Sequence, residues 1–152
     1  MNIENRLKEL NIQLPAVPKP VASYVPFVKT GSLVFISGVG PIINGEKKYP
    51  GKIGKDLSKE EGYEAARLAI LNSLAILEDA AGGLDNVARI VSLQGFVNST
   101  DDFHEQPFVI NGASDLLVQV FGEKGKHSRF ALSSNSLPMN ICVEIILVAE
   151  VK

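Results

Sequence analysis

The chain has 152 residues, of which 45% are hydrophobic and 21% charged, the balance of an ordinary globular domain. Lys and Arg total 15 and Asp and Glu total 17, a formal net charge of -2 that argues against nucleic-acid or membrane partners. One cysteine, Cys142, excludes an intramolecular disulfide, and the two distant histidines give no metal-ligand spacing. We therefore expect one cytoplasmic domain over residues 1–152, with no metal, no cofactor and no membrane-spanning segment.

The N-terminal part of the chain predicts one short helix and one hairpin. Apolar residues recur at helical spacing over residues 3–11, and the prolines of segment 14–20 then make an exposed connector. Two β-rich runs within SYVPFVKTGSLVFISG meet at Thr30-Gly31. This dipeptide is typical of a tight turn, so we expect a hairpin here.

The central part predicts an irregular segment followed by a long helix. Residues 38–57 are rich in glycine and turn residues and predict a loop or short strands. Ser58 and Glu61 have the spacing of a capping box, and Gly82 supplies the left-handed residue that ends many helices. We therefore expect a helix over residues 58–81.

The C-terminal half predicts alternating strands and helices. β-branched residues predict a strand over 86–97, and the run from 102 to 121 predicts a second helix, although Pro107 lies within it. Strands over 129–134 and 139–151 complete the order. This order indicates an α+β domain whose helices pack on one face of a sheet.

The last strand carries a carboxylate where a buried strand should have none. Its alternate residues are apolar on both faces, which predicts that both faces are buried, but Glu144 interrupts the second face. A carboxylate removed from water is costly unless a cation or hydrogen-bond donors accompany it. Arg129 in the preceding strand is the candidate cation, so an ion pair between two strands is one interpretation.

Other chemistries have weak sequence support. The glycine-rich segments SGVGPIING and AAGGLDN lack the spacing of nucleotide-binding loops, and no serine, histidine and acid arrangement is readable. His127, beside loop glycines, is interpreted as a solvated residue.

One segment carries a recognisable pattern. RFALSSNSLPMNICVEI contains an arginine, Leu-Pro eight and nine residues later, and a glutamate six residues after the proline. This pattern resembles the closing signature of the RidA/YjgF superfamily, reactive-intermediate deaminases once labelled endoribonuclease L-PSP or translation inhibitors. SYVPFVKTGSLVFISG is similar to the family's first hairpin, and NSLAILEDAAGGLDNVARIVSLQGFV is similar to its first helix and third strand. The resemblance covers about residues 18–152.

The chain also departs from the common form of the family. Residues 1–17 add a helix and a connector, and the segment 103–115 is lengthened, so the resemblance is to a longer branch. Ala131 lies where the family often has a cysteine, two residues after the arginine. A thiol nucleophile is therefore not expected.

The resemblance implies a chorismate-mutase-like α+β fold assembled as a homotrimer, with clefts between subunits. It also implies hydrolytic deamination of enamine or imine intermediates, 2-iminoacids related to 2-aminoacrylate, to 2-ketoacids and ammonia. The residue pattern is compatible with this assembly. Two helices cover only one face of a sheet, so the other apolar face needs a partner subunit.

The same resemblance assigns candidate roles to single residues. Glu144 would orient water and move its proton, and Arg129 would bind the substrate carboxylate through its planar fork. Tyr24 of the facing subunit would close the cleft, and the backbone of Ala131 would contact water or substrate. The remaining substrate-binding candidates are Ser37 and Asn111.

Alternatives to this interpretation stay open. A trimer without turnover would bind a small carboxylate metabolite through Arg129 and would not need Glu144. Cleavage of RNA, the older label of the family, is disfavoured by the net charge of -2 and by the lack of a basic, aromatic-rich stripe. Tyr24 as an edge aromatic packed on the core, and Ser37 as a turn residue, are the structural alternatives for those two positions.

Overall fold

The structure, a computed structural model, describes residues 2–20 and 22–152. Its elements in chain order are α1 Ile3–Glu9, β1 Phe27–Thr30, β2 Leu33–Ile36, β3 Ile42–Ile43, β4 Glu46–Lys47, α2 Lys59–Ala81, β5 Val87–Asn98, α3 Gln106–Phe121, β6 Ser128–Ser134 and β7 Val143–Val151. Short 3-10 turns lie at Leu84–Asn86, Gly122–Gly125 and Pro138–Asn140. Across the described residues, no helix is both long and apolar enough to cross a bilayer.

Five strands form the main sheet, in the order β1-β2-β7-β5-β6. Only β5 and β6 are parallel, and the other neighbours are antiparallel. The short strands β3 and β4 form a separate two-stranded ladder. These observations confirm the predicted α+β class. They also confirm the hairpin at Thr30-Gly31, where Gly31 adopts the positive φ of 58° that a tight turn requires.

The helix α2 begins and ends where its caps predict. Ser58 Oγ accepts the backbone N–H of Glu61 at 3.1 Å, and Glu61 Oε1 accepts the N–H of Ser58 at 3.1 Å. Gly82, with φ of 69°, ends the helix in the left-handed conformation. The prediction is therefore confirmed to within one residue.

Both long helices cover one face of the main sheet. Alternate residues of β7, from Val143 to Val151, are buried on this face, and α2 and α3 pack against it and against each other. The helix α1 adds to the same core, because Leu7 is buried and Arg6 Nε donates to the Gln119 carbonyl of α3 at 2.9 Å. The N-terminal extension is thus anchored on α3.

Two predicted starts are wrong, and local backbone explains both. The helix α3 begins at Gln106 and not at 102, since proline lacks an N–H and is accommodated in a first turn, where Pro107 lies. The strand β7 begins at Val143 and not at 139, because Met139 and Asn140 have φ of 59° and 58°. This left-handed conformation is incompatible with a strand.

The other face of the sheet is only partly covered within a single chain, so burial of both faces of the last strand stays a prediction that depends on a partner subunit. Residues 144, 146, 148 and 150 of β7 are half-buried, whereas their neighbours on the helix side are fully buried. We call this surface the open face. Its apolar side chains, placed by strand register, are Val28, Leu33, Phe35, Phe96, Phe130, Leu132, Ile146 and Val148.

Candidate active site

Arg129 and Glu144 lie on opposite faces of the main sheet. Arg129 is paired with Leu93, which is fully buried beneath the helices, whereas Glu144 is paired with Phe96 on the open face. Leu93 and Phe96 are three residues apart on β5 and therefore point to opposite faces of the sheet. Their partners Arg129 and Glu144 do the same, so these two side chains cannot meet within one chain. No ion pair joins them in the described residues, and the interpretation as an intrachain ion pair is therefore wrong.

The helix α3 holds the exposed guanidinium of Arg129. Its Nη1 donates to Asn111 Oδ1 at 2.8 Å and to Ser114 Oγ at 3.1 Å, and its Nη2 donates to the Pro107 carbonyl at 3.4 Å. Positions 107, 111 and 114 recur at helical spacing, which places all three acceptors on one side of α3. The Nε–H and one Nη2–H have no acceptor among the described residues. These two donors form the planar fork that matches a carboxylate.

His127 extends this contact and is not the solvated residue that the sequence predicted. It is half-buried, its Nδ1 lies 2.6 Å from the Gly125 carbonyl, and its Nε2 lies 2.9 Å from Ser114 Oγ. Sequence reasoning missed both His127 and Ser114. The available signal was the helical spacing of Asn111 and Ser114, which indicates one side of α3 but not its pairing with residues 127 and 129.

Glu144 is a half-buried carboxyl group without a partner in its own chain. Within residues 2–20 and 22–152, no side chain forms an ion pair or a hydrogen bond with its carboxylate. Phe96 of the neighbouring strand β5 is paired with it, and burial raises the pKa of Glu144 above its usual range. A carboxyl group with a raised pKa exchanges its proton closer to neutral pH, which suits general acid–base chemistry.

Gly38 provides the space that the Glu144 carboxylate occupies, and sequence reasoning missed it as a site residue. A Cβ added at Gly38 would lie 2.9 Å from Glu144 Oε1. The backbone after it is fixed, because Val39 exchanges two hydrogen bonds with Ile145 at 3.0 and 2.9 Å. The signal for Gly38 was its place two residues after the end of the strand β2.

Ser37 precedes Gly38 in the chain and is hydrogen-bonded to the residues that follow Tyr24. Ser37 Oγ donates to the Val25 carbonyl at 2.6 Å, and its N–H donates to the Pro26 carbonyl at 2.9 Å. Ser37 therefore fixes the segment that carries Tyr24. Tyr24 is 48% exposed and does not pack on the core, so its ring is available to another surface. Substrate binding by either residue stays a prediction.

Thiol chemistry has no support at this site. Ala131 is half-buried and points to the helix side, since it is paired with Gly95, which faces Ile110 of α3. Cys142 is fully buried, and burial raises the pKa of its thiol to about 12. Among residues 2–20 and 22–152, no three His, Cys, Asp or Glu side chains are grouped as metal ligands.

The candidate site thus consists of two separate parts. The guanidinium half-site contains Arg129, Asn111 and Ser114 on the helix side, at the strand β6 that ends the sheet. The carboxylate half-site contains Glu144 and Gly38. The structure brings together the residues within each half-site, and it separates Arg129 from Glu144.

Comparison with known proteins extends over nearly the whole chain. Residues 4–151 match the family model described as "YjgF/chorismate mutase-like, putative endoribonuclease". Protein TCP17 of Trypanosoma cruzi is 40% identical over 145 residues, which are 95% of this chain and 91% of that protein.

Two solved structures have nearly the same fold as this chain. Protein Atu1372 of Agrobacterium tumefaciens is 42% identical with a TM-score of 0.92, over 99% of this chain and 92% of that one. A "putative endoribonuclease" of Shewanella oneidensis MR-1 is 37% identical with a TM-score of 0.96, over 99% of this chain and 100% of that one. Coverage of 99% includes the N-terminal helix, so the extension is shared with these proteins. Family model, relatives and fold agree with the C-terminal pattern, and the chain therefore belongs to the RidA/YjgF superfamily, with its chorismate-mutase-like fold.

Proposed function

We propose that this protein hydrolyses reactive 2-iminoacids, and the enamines in equilibrium with them, to 2-ketoacids and ammonia. The observation that carries this proposal is Glu144, a half-buried carboxyl group with a raised pKa and no partner in its own chain. A residue retained in that state destabilises an otherwise apolar face, which favours a catalytic role over a structural one. Arg129 supplies the complementary element, an oriented fork for the substrate carboxylate.

The chemistry requires one proton carrier and one cation. Ionised Glu144 accepts a proton from water as the water oxygen bonds to the imine carbon, and it passes this proton to the imine nitrogen, which becomes an amine. Glu144, again ionised, then takes the hydroxyl proton of the resulting carbinolamine and gives it to the amine nitrogen as the C–N bond breaks, which releases ammonia and leaves the 2-ketoacid. Glu144 moves these protons, a contribution of about a hundredfold to ten-thousandfold. Arg129 holds the carboxylate and fixes the imine carbon in place.

The proposed site is completed by two copies of the chain. Arg129 and Glu144 face away from each other in one subunit, so a small substrate cannot touch both. In the proposed homotrimer, the guanidinium half-site of one subunit faces the carboxylate half-site of the next. The apolar open face around Glu144 supports this arrangement, because a neighbouring subunit would bury it.

Mixed trimers test both the reaction and the shared site. Arg129→Ala and Glu144→Gln should each reduce hydrolysis by at least about a hundredfold when assayed alone. Trimers reassembled from equal amounts of the two variants should recover about a quarter of wild-type activity, because that fraction of sites receives an intact residue from both neighbours. The assay generates the 2-iminoacid with an amino-acid oxidase and traps the remainder with semicarbazide.

Two outcomes would contradict the proposal. Mixed trimers no more active than the single variants would place both groups in one subunit's site. A wild-type protein that binds 2-oxobutanoate through Arg129 without hydrolysing the imine would be a carboxylate-binding trimer.

A further inference from the structure

A chain of hydrogen bonds runs from the backbone of a loop to the guanidinium of Arg129. It joins the Gly125 carbonyl, His127, Ser114 and Arg129 through distances of 2.6, 2.9 and 3.1 Å. We propose that Ser114 and His127 are positioning residues for the carboxylate-binding fork of Arg129. The assignment rests on the proposed function, in which Arg129 binds the substrate carboxylate.

The direction of each hydrogen bond follows from the groups involved. A carbonyl oxygen only accepts, so His127 Nδ1 carries the hydrogen that Gly125 receives. In the tautomer that carries its one ring hydrogen on Nδ1, Nε2 is an acceptor, and the Ser114 hydroxyl donates its one hydrogen to it. A lone pair of Ser114 Oγ is left for the Nη1–H of Arg129. Each group therefore fixes the orientation of the next.

His127 makes the serine a reliable acceptor for Arg129. A hydroxyl without a fixed partner rotates and directs its hydrogen to any nearby acceptor, whereas His127 holds this hydrogen on the far side of Ser114 from Arg129. Asn111 occupies the second hydrogen of Nη1 at 2.8 Å. With Nη1 engaged twice, the guanidinium cannot turn about its bonds without breaking two hydrogen bonds. The fork of Nε and Nη2 then stays directed outward.

This restraint matters because the Arg129 side chain is exposed. An exposed arginine samples many rotamers, and it loses this freedom when it binds a ligand. A side chain already held in the binding orientation loses less, which tightens binding of a planar carboxylate. The hydrogen bonds of His127 and Ser114 should therefore act on substrate affinity and leave the proton transfers at Glu144 unchanged.

Two substitutions of His127 separate its two hydrogen bonds. In His127→Asn the short amide can replace Nδ1 and keep the bond to Gly125, but it does not reach Ser114. In His127→Gln the longer amide reaches the position of Nε2 and can keep the bond to Ser114. Ser114→Ala removes the hydroxyl itself. Ser128→Ala is the matched control, because Ser128 Oγ donates to the Val91 carbonyl at 3.2 Å and does not contact the guanidinium.

The first measurement follows Arg129 directly by NMR, as the rate of rotation of its Nη–H groups in the full-length protein without ligand. We expect slow rotation in the wild type and in Ser128→Ala, and faster rotation in Ser114→Ala and His127→Asn. His127→Gln should recover most of the restraint. This measurement does not depend on turnover, so these rotation rates support the positioning role even in a protein that hydrolyses no imine. Unchanged rotation in Ser114→Ala would overturn it, even in an active enzyme.

The second measurement separates affinity from chemistry. Ser114→Ala and His127→Asn should raise the Kd for 2-oxobutanoate and the KM for the 2-iminoacid by about tenfold, with kcat nearly unchanged. His127→Gln should recover most of this loss, and melting temperatures are compared to identify general unfolding. Equal losses in His127→Asn and His127→Gln, or a loss confined to kcat, would contradict a positioning role.

Discussion

Glu144 makes the stability of the folded chain depend on pH. Burial on the open face raises its pKa above the ordinary value of 4.5, and no cation or donor in the described residues offsets this. The folded chain therefore binds this proton more tightly than the unfolded chain does. The stability that Glu144 contributes is fully present below its ordinary pKa, and it is lost as the pH rises through the raised folded-state pKa.

Glu144→Gln should consequently unfold at a higher temperature than the wild type at pH 7. The amide keeps the shape of the carboxyl group and removes the cost of an ionised group on an apolar face. The difference should shrink as the pH falls from 7 through the raised folded-state pKa of Glu144, because the wild-type group then takes up its proton. Thermal unfolding of both proteins across this range provides the measurement.

Glu64→Gln on the exposed surface of α2 controls for the change in net charge. A Glu144→Gln protein less stable than the wild type at pH 7 would contradict the expectation. It would mean that a cation of another subunit pairs with the carboxylate.

At the scale of elements, the close contact between α2 and α3 depends on a missing side chain. A Cβ at Gly112 of α3 would collide with the Tyr63 carbonyl and would lie 3.2 Å from the Arg67 backbone nitrogen. Both neighbours are backbone atoms of α2, so relief would require the helices to separate. This contact sets the position of α3, and with it the position of the acceptors that hold Arg129.

Gly112→Ala should therefore destabilise the protein by about 2 to 3 kcal/mol, through overpacking at the crossing. The sign is informative, because alanine in place of glycine inside a helix ordinarily stabilises by about 1 kcal/mol. Urea unfolding measures the change, and Val118→Ala on the exposed side of α3 is the control. A variant as stable as the wild type would show that the two helices can move apart without cost.

Sequence reasoning succeeded at this scale where the determinants are local. The limits of α2 follow from Ser58, Glu61 and Gly82, which act within one turn of the helix ends. The start of β7 depends instead on distant contacts. The Asn140 carbonyl accepts the Gly51 N–H at 2.9 Å, and the Met139 carbonyl accepts Lys47 Nζ at 2.5 Å. No local pattern reports such contacts.

The sequence predicted residues of the candidate site but not how they are arranged in space. Arg129 and Glu144 were recognised from their spacing around Leu137-Pro138, but the face that each occupies depends on register across three strands. The pairing of His127 with Ser114 joins a helix to the segment before a strand, which no sequence period encodes. Contacts set by tertiary packing are therefore where the sequence interpretation failed.

For the molecule as a whole, the open face is the main surface on which large apolar side chains are exposed. Phe35 is 45% exposed and Leu132 is 51% exposed, and both belong to a surface that continues across all five strands of the main sheet. The sequence predicted that both faces of β7 are apolar and that the face without helices needs a partner subunit. The helices cover one face, so a second copy is the proposed cover of the other.

The wild type should therefore have a mass of about three times 16.4 kDa in light scattering at micromolar concentration. Leu132→Asp should reduce the mass to that of one chain while retaining the helical signal in circular dichroism, because Leu132 is already half-exposed in the monomer. Val118→Asp, on the outer side of α3, should leave the assembly intact. A wild-type monomer would remove the shared site, and an intact Leu132→Asp trimer would place the interface elsewhere.

The placement of Arg129 and Glu144 on opposite faces has a consequence for inheritance. In the proposed trimer each chain contributes one residue to the site on either side of it, so a chain defective at both positions disables both of these sites, which are two of the three in the trimer. A cell that makes sound and defective chains in equal amounts would lose more activity than the share of defective chains alone. A mutation that is recessive in an enzyme whose sites each lie within one chain would therefore be partly dominant in this protein.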